Sequence, residues 1–157
     1  MDEQSLKKFL LESNKKGYAS QDESSWMKEK DRSTTIRYVS GDWSFHDNYF
    51  GGEPYGGRQV IFFKGKPLWI TVYYGQVDNV VKNIKDVYTF LKKALLHPRK
   101  NFPLRGQPEF KDGNYKYTSI LRGDVRNFYL EEKIYKKNAE IYSAGFFGGF
   151  VDQRSEE

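Results

Sequence analysis

Leu6, Phe9 and Leu10 recur at helical spacing behind an acidic start, Asp2 and Glu3, and ahead of Lys15, Lys16 and Gly17. That pattern predicts a short amphipathic helix with a glycine stop. Residues 18–32 are polar apart from Trp26 and Met27, and read as an ordered loop or short helix. From Thr34 the period drops to two, and strands are expected at Thr34–Ser40, Asp42–Phe50, Gln59–Phe63 and Leu68–Tyr74, with Lys64–Gly65–Lys66–Pro67 as a hairpin turn. Asp78 or Asn79 then caps a second helix, in which Val80, Val81, Ile84, Val87, Tyr88, Leu91 and Leu95 form an apolar stripe and Pro98 is the stop. After Pro103, Gly106 and Pro108, strands resume at Asn114–Leu121, Asn127–Tyr135 and Ala139–Phe146, with Lys136–Lys137–Asn138 as a turn.

The two strand regions align without gaps at an offset of 72: Gly41 on Gly113, Trp43 on Tyr115, Phe45 on Tyr117, Gly51 on Gly123, Phe62 on Ile134, Lys64 on Lys136. Val60 against Glu132 and Leu68 against Glu140 depart from the match. An ancient duplication is the reading. The expected fold is α+β: one domain over 1–157, with pseudo-repeated helix-plus-antiparallel-strand units at about 1–77 and 78–151 and a tail at 152–157. These units would form a curved antiparallel sheet covered by helices. In Leu68–Tyr74, alternation places Leu68, Ile70, Val72 and Tyr74 on one face and Trp69, Thr71 and Tyr73 on the other. The second set is flat and hydrogen-bonding, as expected of a concave ligand face.

Composition sharpens this picture. Aromatic residues make up 17% of a chain that is only 38% hydrophobic, with 12 Tyr, 12 Phe and 3 Trp, so much apolar surface ends in a hydroxyl or an indole N–H. Such surface suits a β-rich core and a pocket that stacks planar ligands. With no cysteine, disulfides, thiolate metal sites and thiol nucleophiles are excluded, and a cytoplasmic setting is expected. No apolar run approaches the ~18 residues of a membrane span, and Met1–Lys16 lacks a signal-type apolar core. The net charge of +5 is concentrated in residues 76–105, which hold seven basic and two acidic residues. There Lys82, Lys85, Lys92 and Lys93 are candidates for contact with nucleic acid or a protein partner.

Gly52-x-x-x-x-Gly57 has the glycine spacing of a phosphate loop, but Arg58 replaces the lysine, Gln59 replaces the hydroxyl, and a strand follows where a helix N-terminus is needed. What survives is a flexible loop bringing Arg58 toward an anion. His46 and Asp47 are neighbours on a strand and point to opposite faces, so they form no relay. With two histidines, His46 and His97, neither a metal hydrolase nor a catalytic triad is supported, and no metal or cofactor is expected. Paired carboxylates such as Asp42 and Asp47 are a weak signal.

The richest constellation is aromatic rings with arginines, since arginine pairs bidentately with phosphate and ring faces stack bases. Tyr49, Phe50, Arg58, Trp69, Tyr73 and Arg105 are the expected ligand-binding residues. The strings Gly41–Asp42–Trp43–Ser44–Phe45–His46–Asp47–Asn48–Tyr49–Phe50–Gly51, Lys64–Gly65–Lys66–Pro67–Leu68–Trp69, Tyr73–Tyr74–Gly75 and Pro103–Leu104–Arg105–Gly106–Gln107–Pro108 carry a resemblance. They resemble an uncharacterised bacterial family of domains of unknown function, found alone or behind Xre-type helix-turn-helix regulators. The layout is loosely similar to GyrI-type ligand-sensing domains. The expected function is a non-enzymatic module binding a small planar anionic ligand, a nucleotide or nucleotide-derived signal, as sensor or sequestering sponge. The alternative is a regulatory domain contacting nucleic acid or protein through the basic helix face.

Overall fold

The computed structural model of the chain describes residues 2–17 and 26–154. The expectation for residues 18–25, and that for the last three residues of the tail, lie outside the described residues. In chain order the elements are α1 (Glu3–Lys16), β1 (Met27–Lys28), β2 (Thr34–Ser40), β3 (Trp43–Gly51), β4 (Tyr55–Phe63), β5 (Lys66–Val77), α2 (Ile84–Leu95), β6 (Glu109–Asp112), β7 (Tyr115–Asp124), β8 (Asn127–Lys136) and β9 (Ala139–Phe150).

The strands form a single antiparallel sheet in the order β1-β2-β3-β4-β5-β9-β8-β7-β6. This corrects the expectation of two helix-plus-strand units covered by helices. The halves meet along β5 and β9, paired from Trp69↔Phe150 to Val77↔Tyr142, so the sheet has no break at its centre. They are also unequal, with β1 and β2 beyond β3 on one side and the four-residue β6 beyond β7 on the other. Among the described residues there are two helices, and much of the remaining cover is the irregular segment 96–108, which buries Phe102 and Leu104. Pro98, Pro103 and Pro108 prevent that segment from coiling into a helix. The offset itself is kept by strands and turns alike: β3, β4 and β5 start at 43, 55 and 66, and β7, β8 and β9 at 115, 127 and 139, while Gly41 and Gly113 share φ of 59° and Gly51 and Gly123 lie at 78° and 82°.

Both helices cover the same face of the sheet. α1 is capped by the Asp2 side chain, which accepts from the Gln4 N–H at 3.0 Å, and its Phe9 stacks on Tyr38 and Trp43 from β2 and β3. α2 lays Phe90 between Phe110 and Tyr115 from β6 and β7. It starts later than its apolar stripe predicts. Asp78 closes a turn, taking the Val80 N–H on its side chain at 2.9 Å and the Val81 N–H on its carbonyl at 3.0 Å, which leaves Val80 in solvent.

The glycine-rich stretch expected as a flexible loop is largely strand. Gly56 and Gly57 pair with Phe50 and Tyr49 in β3, and a Cβ at Gly57 would lie 2.4 Å from the Asn48 carbonyl oxygen. Glycine at 57 therefore permits close approach of two strands and forms no phosphate cradle.

Candidate functional site

Strand alternation divides the chemistry between the two faces of the sheet. On the helix-covered face β3 presents Trp43, Phe45, Asp47 and Tyr49, β4 presents Tyr55, Gln59 and Ile61, and β5 presents Trp69, Thr71 and Tyr73. β8 adds Leu130 and Glu132, and β9 adds Tyr142 and Phe146. At one end of this face the covering layer leaves a cavity of about 240 Å³. Its walls include Asp47, Tyr49, Tyr55, Gln59, Tyr73 and Phe146 from strands, Tyr88 and Lys92 from α2, and Arg105 from the covering segment. That volume falls below the ~300–1,000 Å³ usual for drug-sized ligands and suits one ring system with a small substituent.

Rings make the walls. Tyr73 lies 5.5 Å from Phe146 and 6.0 Å from Tyr55 between centroids, and Tyr55 and Tyr88 meet edge-on at 6.2 Å. The Arg105 guanidinium sits 4.4 Å from the centroid of Phe146. Such a contact favours a flat cation over the electron-rich ring face.

The polar groups are held by a network anchored on Glu132, which is 0% exposed. Its carboxylate accepts from Arg105 Nε at 3.0 Å and from Arg105 Nη2, from the Tyr117 hydroxyl at 2.6 Å, and from the Tyr142 hydroxyl at 2.9 Å. Tyr142 in turn bonds the Tyr55 hydroxyl at the cavity wall. A buried carboxylate is tolerated only with this degree of pairing. Burial alone would lower the pKa of Arg105, but the charge and hydrogen bonds of Glu132 outweigh it and raise it well above the ordinary arginine value. Burial and then the Glu132 charge push the Tyr117 and Tyr142 hydroxyls well up, so both stay protonated donors.

Arg105 is positioned by the helix above it. The Asn14 side chain on α1 donates to the Pro103 and Leu104 carbonyls at 2.8 and 2.9 Å. The next residue along, Gly106, gives its N–H to the Tyr117 hydroxyl at 3.1 Å. A Cβ at Gly106 would come within 2.6 Å of the Tyr117 ring, so glycine is required for this approach.

Asp47 is the second carboxyl in the site. It accepts from the Tyr73 hydroxyl, and it stands directly opposite Gln59 in the β3–β4 register. Desolvation lifts its pKa to about 7, while the Tyr73 hydrogen bond and the charges of Arg105 and Arg58 pull the other way. Burial, followed by the Asp47 charge and hydrogen bond, pushes the Tyr73 hydroxyl far up. Gln59 is 5% exposed, and its side-chain Nε2 is buried with no hydrogen-bond partner. Among the described residues no cluster of three metal-ligating side chains occurs.

Of the residues expected to bind ligand, Tyr49, Tyr73 and Arg105 come together here. Trp69 does not: it is 0% exposed in the core, stacked on Phe128 at 5.4 Å, with its indole N–H on the Val125 carbonyl at 2.9 Å. Phe50 and Arg58 lie on the opposite, solvent face, where Phe50 is 51% exposed. The glycine strand that carries Arg58 turns it away from the cavity, so it is no anion anchor for this site. The four lysines are divided. Lys82 precedes α2, Lys85 is exposed, Lys93 pairs with Asp112 at 2.9 Å, and Lys92 lines the cavity.

Gln59, Tyr55, Tyr88 and Glu132 are missed as site residues, and Asp47 is read only as half of a weak carboxylate pair with Asp42. A signal existed for two of them. In Trp43–Phe45–Asp47–Tyr49 and Phe128–Leu130–Glu132–Ile134 one carboxylate interrupts an otherwise apolar alternation, which marks a charge placed in a core.

Residues 47–151 match the model of DUF5680, a domain of unknown function. The chain belongs to this family. No curated protein and no solved structure matches the chain. The DUF5680 region contains the strand-borne polar groups of the cavity, Asp47, Tyr49, Tyr55, Gln59 and Tyr73, together with Glu132 behind them. Asn14, Trp26, Ile36 and Phe45, which complete the lining, precede it. No helix among the described residues is long and apolar enough to cross a membrane.

Proposed function

We propose that the chain is a non-enzymatic binding module for a small planar ligand of the nucleotide or nucleotide-derived class, acting as sensor or sequestering sponge in the cytoplasm. The observation that carries the reading is the cavity itself: a ring-walled chamber with a few convergent polar groups and a strongly shifted carboxyl, the usual composition of a ligand site. Tyr73, Phe146 and Tyr55 offer faces and edges to a planar ring, each stacking contact being worth ~1–3 kcal/mol. Lys92, whose Nζ lies 5.9 Å from the Trp26 ring centroid, also lines the cavity and adds positive charge on the side where an anionic substituent would lie. The resemblance to domains found behind helix-turn-helix regulators supports a sensor, in which occupancy of the cavity would be read by a partner. Calorimetric titration against linear and cyclic nucleotides, nucleosides and free bases tests the reading. Saturable binding that is lost in Tyr73→Ala is expected. Absence of heat with every compound refutes it.

A further inference from the structure

We infer that the cavity selects its ligand by a ring edge on which an N–H stands beside a hydrogen-bond acceptor, the N–H going to Asp47 and the acceptor to the Gln59 amide, so that an uncharged heterocycle of nucleobase type is the group recognised. This rests on the reading of the cavity as a ligand site and names what that site reads.

Asp47 and Gln59 are direct cross-strand neighbours on the same face and both line the cavity. Directly opposed side chains start from Cβ atoms ~4.5–5.5 Å apart, so their polar ends form one two-point surface. Tyr73 occupies Asp47 Oδ1, and a carboxylate has further lone pairs to offer. Gln59 Nε2 is buried without a partner. A native interior rarely keeps a buried amide donor unsatisfied, and one that lines a cavity points to a group the ligand supplies. The terminal torsion of glutamine is broad, so the amide can turn toward the cavity without moving the strand. Acceptor beside donor on the wall requires donor beside acceptor on the ligand.

Charge disfavours a phosphate as the deeply held group. Arg105 commits its Nε and Nη2 to Glu132, and Arg58 is on the far side of the sheet. A phosphate beside Asp47 would face a carboxyl, which is repulsive when ionised. The ring edge enters and any anionic substituent stays toward Lys92.

The test uses the full chain, with calorimetry and amide NMR against uridine, guanosine, adenosine and cytidine, each nucleoside's monophosphate, and the derivative of each methylated at its edge N–H. At least one nucleoside is expected to bind, its N-methylated form at least tenfold more weakly, and its monophosphate within threefold of the nucleoside. Asp47→Asn and Gln59→Leu should each weaken that nucleoside at least tenfold. Gln59→Leu should also melt no lower than the parent, because it removes an unsatisfied buried donor. Equal binding of methylated and unmethylated rings overturns the edge assignment while leaving the cavity a ligand site. Binding of monophosphates alone does the same. If no ring compound shifts the amide signals of β3–β5, the cavity reading falls and the edge assignment with it.

Discussion

Asp47 is a titratable group held where water is scarce, and its protonation is linked to stability. Burial raises its pKa from 3.8 to about 7, so between these values the folded chain holds a proton that the unfolded chain has released. The associated stability is complete below about pH 4 and is lost as pH rises through about 7, up to about 4 kcal/mol in all. Asp47→Asn abolishes the linkage. Relative to the parent, the variant should gain stability from pH 5 to pH 8 in urea unfolding, and a pH-independent difference would refute the assignment. Glu132 contributes through its pairing with Arg105. Glu132→Gln leaves Arg105 buried without its counter-charge, and a loss of about 3–5 kcal/mol in the same measurement is expected. A loss under about 1 kcal/mol would show that the pair is not what holds Arg105.

At the scale of elements, the site depends on an irregular segment tied to a helix. Asn14 on α1 binds the carbonyls of Pro103 and Leu104, and this sets where Arg105 begins. Asn14→Ala should cost about 1–3 kcal/mol by freeing two buried carbonyls. The accompanying sign is faster hydrogen exchange at Gly106, whose amide is otherwise held by Tyr117. Unchanged exchange there would mean that the proline-rich segment holds its own shape. The late start of α2 has a similar local cause. Its apolar stripe runs back to Val80, but the Asp78 side chain and carbonyl capture the amides that a longer helix would use.

For the whole molecule, the two faces of one sheet assign different roles to residues adjacent in sequence. Trp69→Ala should cost about 3–5 kcal/mol through loss of core packing, whereas Phe50→Ala and Arg58→Ala should stay within about 0.5 kcal/mol of the parent. Neither of the latter two should alter ligand binding in the cavity. A large effect of Arg58→Ala on affinity would place the ligand on the outer face and contradict the cavity reading.

The sequence by itself determined most strands, both turns and which residues share a face, because alternation and turn chemistry are local. It also singled out Tyr49, Tyr73 and Arg105, through residue types that stack and hydrogen-bond, and the fold gathers these three around one cavity. Which face of each strand turned inward was decided only in the tertiary structure. That is why Phe50 and Arg58 lie in solvent and Trp69 lies in the core, while Asp47 and Glu132, each a lone carboxylate in an apolar alternation, became the polar centres. Pairing of β5 with β9 joined the two strand regions into one sheet. The proline-bound segment between α2 and β6, too short of helical pattern to be read as cover, closed over that sheet and left the cavity between them. Burial and charge pairing across residues far apart in the chain set the chemistry there, and those are properties of the packed molecule.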